Sequence, residues 1–333
     1  MNLHELLDQG VHDDAEHGDG LANHLPMVLV ALQALGASDA RMHSFAASYR
    51  TRLRPARPAE AWPSGDGWRS RFGQIEAWSA YRDLFAQWLI HEGRDAVLDQ
   101  TLPGLMPGCG GAAFHGLIRT ALAVVGGHDG ELADALAYWA CRHLTLGAAL
   151  PAAGAQQPSS ARETDPQSVL QSLWRDLAGW HPAHGLIVQR MQAAAQQPAF
   201  TAHVSRLAIG DGTLPALSRL VAHLYARSGN FTVLHLVTSA HAMRLLLPRL
   251  DEPLPAIRSY WLACAAGAAT MPALAGLGVD MPPTPLDWSE ITARAIASDD
   301  EHVIKLVYSC REEERCHGGA EYREAAARAV TAP

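Results

Sequence analysis

Lysine is almost missing. Of 26 basic residues in 333 positions one is lysine, Lys305, which leaves 25 arginines. Two readings stay open. A chain rich in Ala, Arg, Gly and Pro exchanges lysine for arginine through coding bias. Alternatively, Lys305 does what a guanidinium cannot: a buried amine can lose its proton and become a nucleophile, whereas arginine stays charged. Other absences exclude whole classes. No apolar run of about 18 residues exists, so no membrane span is expected. The net charge of −8 comes with no basic face, which argues against a nucleic-acid partner. The N-terminus is acidic and lacks a basic n-region, so it does not read as a signal peptide, and a cytoplasmic location is expected. Five cysteines, odd in number and scattered, read as free thiols rather than a disulfide framework. There is no G-x-G-x-x-G, G-x-x-x-x-G-K-[ST], H-E-x-x-H, G-x-S-x-G or C-x-x-C. NADPH stays possible as an electron source, but no motif would bind it.

What is present is a foldable core, with 48% hydrophobic and 18% charged residues. The periodicity is helical nearly throughout, with no strand alternation and no hairpin signal. An apolar helix from Asn23 stops at Gly36, and Ser38 caps the next, to about Arg52. Residues 53–70 read as a loop. Helices follow at 74–91, about 112–125, 129–146, 166–179, 183–197, 199–209, 213–228, 231–248, 255–269, 287–298, 300–316 and 319–330. Pro282-Pro283-Thr284-Pro285 breaks the chain before the last three. The expected fold is all-α, one large globule of about a dozen helices without a substantial sheet. It is read as one domain over 1–333 with a linker-like loop near 151–166. Nothing in the sequence indicates an oligomeric state.

The chain holds 17 histidines. His24 opens an apolar helix, His115 lies in Ala-Ala-Phe-His-Gly-Leu-Ile, and His235 lies in Phe-Thr-Val-Leu-His-Leu-Val-Thr. His302 and Lys305 are three apart, which puts them on one helix face. His241 follows His235 by six residues, about 600° of helix, so the two do not share a face. One histidine in an apolar stretch is usually a hydrogen-bonded core residue. Several in separate helices, with the only lysine, fit a shared metal, which satisfies many buried imidazoles at once. His4, His12, His17, His128, His181 and His184 are expected in solvent. His43, His91, His143, His203 and His223 would cap or line helix faces. The Arg311–Arg315 run reads as a solvated helix end, and Cys109 as a possible thiol at a helix start.

These residues resemble the questin oxidase-like family, through the Asn23-His24 to Ser38 segment, His115-Gly-Leu-Ile, Phe231 to Thr238, and His302-Val-Ile-Lys305. Fungal members open the ring of anthraquinone-type polyketides oxidatively and were often labelled Baeyer–Villiger oxidases. A characterised branch is all-helical, with a non-haem iron held by four histidines and a carboxylated lysine. The resemblance therefore implies His24, His115, His235 and His302 as imidazole ligands and Lys305 as the modified lysine. It implies a divalent first-row metal, most naturally iron, with O2 and a small aromatic or polyketide-like substrate as partners. Arg119 stands where the family tends to a second histidine and Thr238 where it tends to asparagine. His241 has no clear counterpart, and would replace a ligand or support one, with Lys305 and His241 as the catalytic pair. Phe114 and Phe231 could flank a flat substrate.

Other classes compete. A metal-dependent hydrolase could use the same carbamylated lysine, though an H-x-H pair and βα periodicity are missing. A helical ligand-binding protein would keep the histidines as core. A flavin or nicotinamide monooxygenase lacks its dinucleotide fingerprint, although an external reductase could supply electrons.

Overall fold

Four helices set the architecture, and two of them begin at a side-chain cap. In the computed structural model, which describes residues 2–58, 61–62, 65, 67–146, 163–274 and 283–332, they are α2 (Leu25–Leu35), α6 (His115–Gly126), α12 (Phe231–Leu246) and α15 (Glu301–His317). Asn230 Oδ1 accepts from the amides of Thr232 and Val233 at the start of α12, and Asp300 does the same for His302 in α15. Helix α2 ends at Gly36, whose φ of 92° lets its amide close on the Leu32 and Gln33 carbonyls. Helix α2 packs on α6 and α15, and α12 packs on the same two, so the four close a ring.

The remaining helices clad this ring. They are α1 (Leu3–Asp8), α3 (Asp39–Arg50), α4 (Trp78–Glu92), α5 (Arg94–Leu105), α7 (Asp129–Cys141), α8 (Pro166–Asp176), α9 (Ile187–Ala195) and α10 (Pro198–Val204). After them come α11 (Thr213–Ser228), α13 (Pro253–Ala269), α14 (Trp288–Ala297) and α16 (Glu321–Thr331). Helix α7 lies between α4 and α6, α11 and α16 cover α12 and α15, and α13 joins α9 to α12. The all-α expectation holds: the described sheet is one antiparallel pair, Glu16–His17 with Leu21–Ala22. No helix among the described residues is long and apolar enough to cross a membrane. Cys109, Cys141, Cys264 and Cys310 are buried free thiols and Cys316 is exposed.

Some boundaries differ from the sequence reading. Helices α1 and α5 went unread; Pro103 sits inside α5, and proline argues against a helix interior. Helix α7 stops at Cys141 instead of Leu146, because Arg142 turns its guanidinium to Glu16, with Nε 2.7 Å from Oε1, and His143 stacks on Phe72. Of the 151–166 segment, 151–162 lie outside the described residues, as does Pro282, and Pro166 already belongs to α8 behind the Asp165 cap.

The largest departure precedes α6. Instead of helix from Ala112, three consecutive residues are left-handed: Ala112 (φ 46°), Ala113 (φ 54°) and Phe114 (φ 69°). Each non-glycine residue in that region costs about 1–2 kcal/mol. Packing holds the turn. Phe114 is fully buried against Tyr260, so it is core and does not flank a substrate. At Gly111 the Arg142 carbonyl of the α7 terminus approaches so closely that a Cβ would lie 1.8 Å from it. Gly111→Ala is therefore expected to lower the unfolding free energy by about 2–4 kcal/mol in urea denaturation. An unchanged value would mean that this turn is not locked on α7.

Candidate metal centre

The four ring helices bring their N-terminal turns to one place, and each carries a histidine there. His24 is the N-cap of α2, held by its amide donating to Tyr49 Oη at 3.0 Å. His115 is the first residue of α6, directly after the left-handed turn. His235 opens the second turn of α12, and His302 is the second residue of α15. Nε2 of His24 lies 2.7 Å from Nε2 of His115, with the rings stacked at 4.6 Å. His302 stands edge-on to His24 at 4.8 Å and 5.6 Å from His235, which is 5.0 Å from His115. Ninety-one residues separate His24 from His115 in the chain, so only the fold makes this group.

The outer nitrogens are mostly committed. His115 Nδ1 bonds the Ala112 carbonyl at 2.5 Å, His235 Nδ1 the Phe231 carbonyl at 2.8 Å, and His302 Nδ1 Asp300 Oδ1 at 3.1 Å. A carbonyl or carboxylate fixes Nδ1 as the protonated nitrogen, so Nε2 presents a lone pair inward, the arrangement of metal-ligating imidazoles. His24 is the exception. With His115 Nε2 an acceptor, His24 must donate from Nε2, and its buried Nδ1 lone pair then has no hydrogen-bond partner. Glu301 Oε1 lies 3.8 Å from Nδ1, so two acceptors face each other. A cation taken by both Nε2 atoms would let His24 Nδ1 carry its proton toward Glu301, which removes the conflict. His24, Glu301 and His302 each offer a ligand atom within 4.8 Å of the others. Two nitrogens bound at right angles about 2.0–2.1 Å from one ion would be about 3 Å apart, close to the His24–His115 separation. The donor set fits a metal.

Burial keeps three of these rings, His24, His115 and His235, uncharged. It drives His24 well below the ordinary imidazole value, helped by the charge of Lys305 and the neighbouring rings. Burial and Lys305 take His115 down to about 3. His235 falls for the same reason, with His115 and His302 adding to it. Neutral imidazole is the ligating form. Lys305 is 2% exposed, and burial lowers its amine to about 8 against the pull of Glu301 and Asp300.

The rings line a cavity of about 430 Å³, an ordinary size for a small-molecule site. Apolar wall comes from Leu21, Ala22, Ala113, Leu186, Val188 and Phe231. Phe231 is 52% exposed and sits edge-on to His235 and His302 at 5.0 and 4.8 Å. His17, expected in solvent, also lines this wall, and burial lowers it. Glu301 was missed in the sequence, where it looks like any carboxylate in a first helical turn. Its adjacency to His302 one turn before Lys305 was the available signal.

Other expectations are corrected. The geometry does not bring His241 into the cavity: six residues carry it about 9 Å along α12 and to another side. There Nδ1 meets Glu313 Oε1 at 3.0 Å, and the ring stands edge-on to Tyr308. Glu313, read as part of a solvated run, is 1% exposed and also bonds Arg244 and Ser218. His128 is buried and caps α7 through Glu131 N. Cys109 is buried, which pushes its thiol up to about 12 and makes it unreactive. Arg119 forms a buried pair with Glu131 at 2.6 and 2.8 Å and reaches Asp134 at 3.1 Å.

A family model described as Questin oxidase-like matches residues 21–310, a span holding all four helices of the ring up to Cys310 of α15. A search of the curated proteins finds no match.

The Glu313 cluster carries a pH test. Burial alone would raise its carboxyl, but His241 and Arg244 outweigh that and hold it at about 2, below its ordinary 4.5. A depressed carboxyl adds stability above the unfolded value and loses it as pH falls through the folded one. Wild type should exceed Glu313→Gln by about 3 kcal/mol at pH 7, and the gap should close between pH 4.5 and 2 in denaturant titrations. A gap independent of pH would refute the ionic origin.

Proposed function

The chain belongs to the questin oxidase-like family, which gives it an oxidase- or oxygenase-type function, and from that premise we propose that it is a non-haem metal oxygenase. Iron is the metal the donor set suits best, and the substrate is a quinone- or polyketide-like aromatic compound oxidised or ring-opened with O2. The observation that carries this reading is the meeting of four imidazoles on the wall of a largely apolar cavity.

In this reading His24, His115, His235 and His302 hold the ion through nitrogens whose opposite sides are mostly braced by backbone or Asp300. Four imidazoles with one anionic oxygen leave a sixth position open on an octahedral ion. When bound, iron would supply one-electron chemistry toward O2. Lys305 supplies the anion. Its amine, lowered to about 8, is partly neutral at physiological pH. It adds to CO2, forming an N–C bond and releasing one proton to give a carbamate. Glu301, 3.8 Å from His24 Nδ1, is placed to accept that proton or to stand beside the ion. The apolar wall excludes water from the reacting end, and Phe231 gives a flat ring a face to lie on. His241 acts only through packing on Glu313.

Metal analysis tests the reading. Protein reconstituted with Fe(II) under bicarbonate should retain about one ion per chain and take up O2 with a hydroxylated anthraquinone. His235→Ala and Lys305→Met should lose most of the bound metal, roughly 10-fold or more in affinity, while His241→Ala keeps it. Retention of no metal by wild type, or unchanged retention in His235→Ala, would overturn the assignment.

A further inference from the structure

We propose that the cavity holds a subsite for an anionic oxygen of its substrate, a carboxylate or an ionised phenol, with Arg190 as its partner. The proposal rests on the reading above only for the aromatic body of that substrate. The charged side chains on the cavity wall are Arg52, Arg190 and Glu301. Arg52 is engaged, with Nη1 and Nη2 at 3.5 and 3.4 Å from the Glu301 carboxylate and its guanidinium 4.0 Å from the Tyr49 ring centre. Those two charges offset each other.

Arg190 is left. Among the described residues its hydrogen bond is one weak contact, from Nη2 to Thr232 Oγ1 at 3.3 Å, and its buried Nε has no partner. No carboxylate of the described residues pairs with it. A guanidinium cannot neutralise itself by losing a proton, and placing it against apolar wall without a counter-charge is unfavourable. A planar fork with free donors is the shape that binds a carboxylate or phenolate. The wall around it has the same polarity. Gly185, Leu186, Ile187 and Val188 line the cavity where α9 begins, so the positive end of that helix adds to the Arg190 charge. Position also makes sense: Thr232 follows Phe231, whose ring touches His235 and His302. An anion at Arg190 therefore lays the aromatic body along Phe231 and points its far end at the imidazoles.

Binding without metal or O2 separates this from the oxygenase reading. Chelator-treated full-length protein is titrated calorimetrically with anthraquinone-2-carboxylate and with its uncharged carboxamide. Wild type should prefer the carboxylate about 10-fold or more, or about 1.4 kcal/mol. Arg190→Gln keeps a donor for Thr232 but no charge, and should bind both probes within about threefold; Arg190→Lys should retain part of the preference. Equal binding of the two probes, no binding of the carboxylate, or a preference preserved in Arg190→Gln overturns the proposal. If Arg190→Gln does not fold, the wild-type comparison and Arg190→Lys still decide it. A preference lost with Arg190 in a protein that takes up no O2 would leave the subsite standing and remove the oxygenase reading.

Discussion

Four helix N-termini meeting at one point is the constraint on which the rest of this structure depends. Each brings a fraction of a positive charge from its unpaired amides, so the place where they meet resists further protons. Histidine at His24, His115 and His235 answers this, because a buried imidazole can stay neutral and still offer a lone pair. The result is a concentrated set of bases with few protons to share. The closeness of the His24 and His115 nitrogens, 2.7 Å, shows how little room the packing leaves. Apolar residues at these positions would fill space but leave the Ala112 and Phe231 carbonyls and the Asp300 carboxylate without their imidazole partners.

Holding such a set requires rigidity, and the chain secures it at some cost. The left-handed run Ala112–Phe114 aims the Ala112 carbonyl back at His115 Nδ1, which an ordinary helical entry would not do. Buried charge clusters brace the surroundings. Arg119 ties α6 to α7 through Glu131 and Asp134, and burial lifts Asp134 to about 6 even beside that guanidinium. Glu16 holds Arg142 and the Tyr138 hydroxyl, so the α7 terminus and a wall residue of the cavity move together. Glu313 gathers His241, Arg244 and Ser218 on the far side of α12 and α15. Breaking one partner of such a group strands a charge in the interior, which makes these clusters specific as well as costly.

Much of this was legible in the residues. Helical periodicity and the Ser38 cap are local, and local signals survive folding. The four histidines stood out because each interrupts an apolar stretch, and Lys305 because it has no companion. What stayed hidden was set by contacts distant in sequence. Nothing local says that Ala112, Ala113 and Phe114 are left-handed, since that depends on Arg142 of α7 reaching Gly111. Glu301 and Glu313 looked solvated because acidic residues on helices usually are; one faces His24 and the other His241 only after the ring closes. Arg190 carried no signal, because its distinction is the absence of a partner, which only a complete set of neighbours can reveal.

Charge balance decides how the proposed centre would assemble. Around the imidazoles the cationic groups are Arg52, Arg190 and, when protonated, Lys305, while Glu301 and Asp300 are the carboxylates beside them. A divalent ion entering that setting meets like charge as well as four lone pairs. Converting the Lys305 ammonium to a carbamate changes the local charge by two units in the favourable direction. Ion binding and carbamate formation would then each strengthen the other by the same factor, because coupling between two equilibria is reciprocal. An anion docked at Arg190 shifts the balance the same way from the opposite wall. The scarcity of lysine acquires a physical meaning in this scheme: an arginine at position 305 would keep its charge under all conditions and could never change sign to receive the ion.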